Sequence, residues 1–153
     1  MSKVATKLFS NDRDRIRRYY IESWRKAQEG LPLEPLEGII ADVVMAHPEY
    51  HALLEREESA LGREFFPEQG EGNPFMHMGM HIAIREQVAS NRPQGITALH
   101  RRFSKALSDQ HEAEHLMMEA LGEVLWQAQQ QGLPPDEKAY IAQLRLMLNR
   151  LGK

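Results

Sequence analysis

Six of the seven histidines in this chain fall into three pairs, each spaced four residues apart: His47/His51 in HPEYH, His77/His81 in HMGMH and His111/His115 in HEAEH. Only His100 stands outside the pattern. Seven histidines scattered at random over a chain of this length would give about 0.3 such pairs. A four-residue step repeats along one face of a helix and brings Cβ atoms to about 5–6 Å of each other. The pairs therefore call for helices at three places. They also set two imidazoles within reach of one metal ion, as in the two-histidine half of the helical zinc motif. Two of the pairs continue by the same step to a carboxylate, giving His47, His51, Glu55 and His111, His115, Glu119.

A length of 153 residues suits one domain, 1–153, able to bury a core without staples. Good helix formers abound and long β-branched runs are absent. The chain has no cysteine, which excludes disulfides and thiolate metal sites and restricts any ion to nitrogen and oxygen ligands. A net charge of −3 gives no drive toward nucleic acid or a membrane surface. The segment MSKVATKLFSNDRDR lacks the apolar core of a signal peptide. The apolar stretch around Gly38–Ala46 is short and contains Asp42, so no membrane span is expected and a cytoplasmic location is.

Capping and breaking signals divide the chain into helices. Ser10 or Asn11 caps a first helix, Asn11–Gln28, with Ile16, Tyr20, Ile21 and Trp24 at helical spacing. A second runs over Pro35–Ala46. Pro48 disfavours helical geometry at His47 and suits a first helical position, so a third helix is expected over Pro48–Gly62. Phe65–Gly72 reads as a loop. Asn73-Pro74 opens a fourth helix to Ala89, and a turn over Asn91–Gly95 precedes a fifth at Ile96–Leu107. Asp109 with Glu112 has capping-box spacing for a sixth helix to Gln131, and the last covers Asp136–Leu151. The expected fold is all-α, a helical bundle of about four core helices with short flanking helices.

The ladder His111–His115–Glu119 spans about 12 Å of helix rise and turns only about 80°, too long for one ion and suited to two. The expected metal ligands are His51, Glu55, His77, His81, His111, His115 and Glu119, with His47 as a further candidate beside Pro48. HEAEH formally matches the zinc-protease string, with Glu112 after the first histidine, but the additional pairs exceed what a mononuclear protease needs. Glu112 and Glu114 read as solvent-facing residues or as groups orienting a histidine. Arg85 lies four residues past His81 and is a partner for Glu119, Glu55 or a bound anion. His100 reads as an ordinary surface or core histidine. Met76, Met78, Met80, Met117 and Met118 read as core filling ahead of copper ligands. Gly79, inside a helix at a cost of roughly 1 kcal/mol, implies close approach of a neighbour.

The segments WRKAQEGLPLEPLE, AHPEYH, NPFMHMGMHIAIREQ and HEAEHLMMEALGEVLWQAQ together resemble DUF1841, an uncharacterised and mainly proteobacterial family. The resemblance runs over nearly the whole chain. It implies a small cytoplasmic bacterial protein and no established activity. In ligand chemistry alone the ladders are similar to hemerythrin-like bundles, which hold two irons with histidines and carboxylates. Those chains pair a histidine with a carboxylate five positions later near the C-terminus, and nothing comparable occurs here.

The expectation is a metal-binding protein, with a dinuclear non-haem iron site ahead of zinc, manganese or copper. As an enzyme it would be a non-haem iron oxidase or oxygenase using O2 or peroxide. Reversible binding of O2 or NO for sensing or storage uses the same site. The alternatives are a zinc-stapled protein-interaction module and a histidine-ligated haem protein. Oligomerisation is left open.

Overall fold

The computed structural model describes residues 13–66 and 72–152. Among the described residues there are eight α-helices and no strand. In chain order they are α1 (Arg13–Gln28), α2 (Pro35–Met45), α3 (His51–Glu55), α4 (Glu57–Ala60), α5 (Pro74–Ser90), α6 (Ile96–Leu107), α7 (Gln110–Gln131) and α8 (Glu137–Arg150). The expected all-α class is correct, with four longer helices, α1, α5, α7 and α8, and shorter flanking ones. No described helix is long and apolar enough to cross a membrane. The caps expected at Ser10 and Asn11 lie outside the described residues, as does most of the loop expected over Phe65–Gly72.

The chain divides into two compact units, Met1–Ala83 and Ile84–Lys153, and the boundary falls within the continuous helix α5. The first unit packs Tyr20 and Trp24 of α1, Ile40, Val43 and Val44 of α2, Leu54, Ala60, and Phe75, Met78 and Ile82 of α5 into one apolar cluster. Pro35 stands at the first position of α2, and Glu37 accepts from the backbone N–H of Glu34 at 2.9 Å. Lys26 of α1 reaches Glu37 at 2.8 Å, an ion pair whose carboxylate side chain is only 8% exposed.

The single helix expected over Pro48–Gly62 is not formed. A 3₁₀ turn at Pro48–Tyr50 is followed by α3 and α4, which are separated by Arg56 in an extended conformation. The segment is rich in good helix formers, so propensity does not break it. The break goes with contacts to α1. Arg17, 2% exposed, donates to the carbonyls of Ala60 at 2.7 Å and Arg63 at 2.6 Å, and its guanidinium lies 4.8 Å from the Phe75 ring centre. Burial, and then the neighbouring Arg13, push the Arg17 guanidinium down from its usual range. Asp14 accepts from the N–H of Gly62 at 3.1 Å, where φ is +75°. Charge-assisted bonds to carbonyls at the end of α4 thus replace continuation of the helix.

In the second unit, Asn91 adopts a left-handed conformation (φ 53°) and its side chain accepts from the N–H groups of Gly95 and Thr97, opening α6 at the expected residue. Ser108, also left-handed, ends α6. Asp109 caps α7 by accepting from His111 and Glu112 N–H, and Asp136 caps α8 by accepting from Ala139 N–H. Ile96, Leu99 and Phe103 of α6, Met117, Leu121 and Val124 of α7, and Ile141, Leu144 and Leu148 of α8 are the buried apolar faces. Tyr140 donates its phenolic O–H to Gln87 at 2.8 Å, and burial pushes that phenol well above its usual range.

Replacing Arg17 by Ala removes two charged hydrogen bonds and an aromatic contact. It should cost about 3 kcal/mol in urea unfolding. The exposed Arg18→Ala should cost less than about 1 kcal/mol. Equal effects would show that Arg17 does not hold the α4 end.

Candidate metal centre

His47 is where chain direction and chemistry meet. Its N–H bonds the carbonyl of Val44 at 2.9 Å as α2 ends, and Pro48 begins the next turn. Its side chain is 1% exposed. Nδ1 lies 2.6 Å from the carbonyl of Val43, which can only accept, so Nδ1 carries a proton and, in the neutral ring, Nε2 carries the lone pair. Such a backbone bond fixes the tautomer and ring orientation of metal-binding histidines.

The start of α5 is set by Asn73, whose side chain accepts from the N–H groups of Phe75 and Met76. Four residues on, His77 is half-buried, and one turn later His81 has no exposed surface. The rings of His47, His77 and His81 form a near-equilateral triangle, with centroids 4.9–5.1 Å apart: His47–His77 5.1 Å, His47–His81 4.9 Å and His77–His81 5.0 Å. Tyr50 stacks on His47 at 5.5 Å and 7°. Gly79 between the two histidines is buried. Met78 is fully buried and fills core as expected, whereas Met76, 52% exposed, does not.

On α7 the Asp109 cap places His111 in the first turn and His115 in the second, with ring centroids 4.4 Å apart. Nδ1 of His115 lies 3.3 Å from the Glu112 carboxylate, which orients that ring and directs Nε2 away from it. The Nε2 atoms of His47, His81 and His115 and the Nδ1 of His111 are all buried. His47, His81, His111 and His115 each offer one ring nitrogen, and these four atoms all lie within 4.8 Å of one another.

Of the remaining candidates, His77 stands beside His47 and His81 without joining that group, and His51, Glu55 and Glu119 are placed otherwise. The His51 ring packs on Trp24 at 4.7 Å and its Nε2 donates to the carbonyl of Val44 at 2.8 Å. The 3₁₀ turn over Pro48–Tyr50 interrupts the helical step between His47 and His51, and Glu55 is exposed. Glu119 is exposed on α7.

Sequence reasoning set aside a second polar cluster. Glu114 of α7 has no exposed surface. It accepts from Arg85 Nε at 3.2 and 3.3 Å, from His100 Nε2 at 2.9 Å and from Gln110 at 3.2 Å. The partner of Arg85 is therefore Glu114 rather than Glu119, Glu55 or an anion, and Glu114 is not solvent-facing. The signal was present: Glu114 lies three and seven residues before Met117 and Leu121, on the apolar stripe of α7.

The family model of a domain of unknown function (DUF1841) matches residues 12–146. The chain belongs to this family. No curated protein and no solved structure matches this DUF1841 chain. The four segments that carried the resemblance all fall within the matched span.

A buried carboxylate stripped from its donors leaves a guanidinium and an imidazole uncompensated. Glu114→Ala should destabilise the protein by about 3–5 kcal/mol. Glu112→Ala, at a carboxylate 59% exposed, should change stability by less than about 1 kcal/mol. Denaturant titration of both variants checks this, and a near-neutral Glu114→Ala would contradict the assignment.

Proposed function

We propose that this protein binds a single transition-metal ion through the imidazoles of His47, His81, His111 and His115. The observation that carries the reading is the gathering of one ring nitrogen from each within 4.8 Å. Two further features support it. The Val43 carbonyl on His47 and the Glu112 carboxylate on His115 hold Nδ1 and leave Nε2 as the donor atom, the arrangement that orients metal-binding histidines. The donor atoms are buried, which protects a bound ion from competing water.

An all-nitrogen set suits iron, zinc or copper and disfavours magnesium or calcium, which take oxygen. Iron with an open position for O2, peroxide or NO is our first reading, as oxidase, oxygenase or sensor. A zinc staple is the second. It is favoured by the set of four protein ligands, since structural zinc is held in a closed tetrahedron by four protein side chains. The exposure of Glu55 and Glu119 turns the dinuclear expectation into a mononuclear one, because the carboxylates that would bridge two ions face solvent.

Elemental analysis of protein purified without nickel affinity should give close to one transition metal per chain. His81→Ala and His115→Ala should each lose most of it, while His100→Ala and Glu119→Ala should retain it. Yellow-to-brown colour with near-ultraviolet charge-transfer bands identifies iron, a colourless stoichiometric zinc protein identifies the staple, and a sharp Soret band identifies haem. Metal well below one per chain, with no tight uptake on titration, would overturn the proposal. Two metals per chain falling to one in Glu119→Ala would restore the dinuclear site.

A further inference from the structure

His77 is left over by the four-histidine set, yet its ring stands 5.1 Å from that of His47 and 5.0 Å from that of His81, as close to each as they are to one another. It differs from both in exposure. His47 and His81 are 1% and 0% exposed, whereas His77 is half-buried. Tyr50, also half-buried, meets His77 edge-on at 6.2 Å and stacks on His47. The solvent-side margin of this imidazole triangle therefore carries an imidazole and a phenol, both able to donate a hydrogen bond. Met78 and Ile82 of the same helix as His77 belong to the apolar cluster of the first unit.

We propose that His77, seconded by Tyr50, is the hydrogen-bond donor to a small ligand bound at the metal: an anion or polar diatomic whose outer atom accepts a proton. The inference rests on the four-histidine reading above. Four imidazoles occupy four positions, and iron or copper accepts a fifth ligand. The outer atom of that ligand carries the developing negative charge and meets a ring N–H of His77. The second ring nitrogen stays available for the protein's own contacts. His77 is on this account a positioning and selectivity residue: it sets how tightly the small ligand binds and leaves retention of the ion to the other four.

Azide is the probe, titrated into copper(II)-loaded full-length protein and followed by its charge-transfer absorption. Wild type should bind one azide per ion. His77→Ala should keep the metal stoichiometry of wild type and bind azide about tenfold more weakly, the loss expected for one hydrogen bond to a charged acceptor. His77→Gln keeps an N–H donor and should recover part of the affinity. Tyr50→Phe should weaken azide less than His77→Ala does. Wild type without bound metal would overturn the four-histidine reading and this inference with it. A metal-loaded wild type that takes no azide, or a His77→Ala variant with unchanged azide affinity, overturns this inference alone. Loss of the ion itself from both His77→Ala and His77→Gln would make His77 a ligand and equally overturn it.

Discussion

Glu114 has no solvent-exposed surface, and a carboxylate in that position survives only where its charge is met at close range. Arg85 from α5, His100 from α6 and Gln110 from the first turn of α7 meet it. Because one guanidinium and one imidazole must both reach the same carboxylate, the rotation of these helices about their axes is fixed to within a side chain's reach. The two helices that carry Arg85 and Glu114 also carry the histidines. His81 lies one turn before Arg85 on α5, and His111 and His115 bracket Glu114 on α7. The face a histidine presents on either helix is thus tied to where the buried ion pair sits. A well-packed apolar substitute could match its stability, but it would not specify rotation in the same way.

The histidines themselves are sorted by what holds their second nitrogen. A backbone carbonyl holds Nδ1 of His47, and a carboxylate holds Nδ1 of His115. A carbonyl holds Nε2 of His51, which turns that ring against Trp24 instead. Three members of a regular sequence pattern so acquire different roles from their acceptors alone. The carboxylates that continue the four-residue step are exposed, which leaves the candidate set one of imidazoles alone. A divalent ion there would keep its full charge in a buried setting, and such a site binds small anions through that charge.

Much of this was legible in the sequence. Asn73-Pro74, Asp109 and the Asn91–Gly95 turn are local signals, satisfied within a few residues, and α5, α6 and α7 begin and end where those signals place them to within a residue. The HMGMH and HEAEH pairs were legible for the same reason, since each lies inside one helix. What escaped the sequence depends on distant partners. The break between α3 and α4 accompanies the bonds of Arg17 and Asp14, more than forty residues earlier, to backbone groups that carry no side-chain signature. The 3₁₀ turn over Pro48–Tyr50, rather than that break, separates His51 and Glu55 from the helical step expected to run on from His47. The charged and imidazole donors on Glu114, Arg85 and His100, come from two other helices, so His100 looked ordinary from its neighbours in LHRRF. The one distant relation that could have been read was a glutamate on the apolar stripe of α7.

The most direct test of the account is X-ray absorption at the metal edge of protein loaded with one equivalent of ion. Four imidazoles predict a shell of nitrogen scatterers, at about 2.0–2.1 Å if the ion is zinc. They also predict the outer-shell pattern of several rigid rings and no sulfur. A first shell dominated by oxygen, with one imidazole or none, would contradict the four-histidine centre.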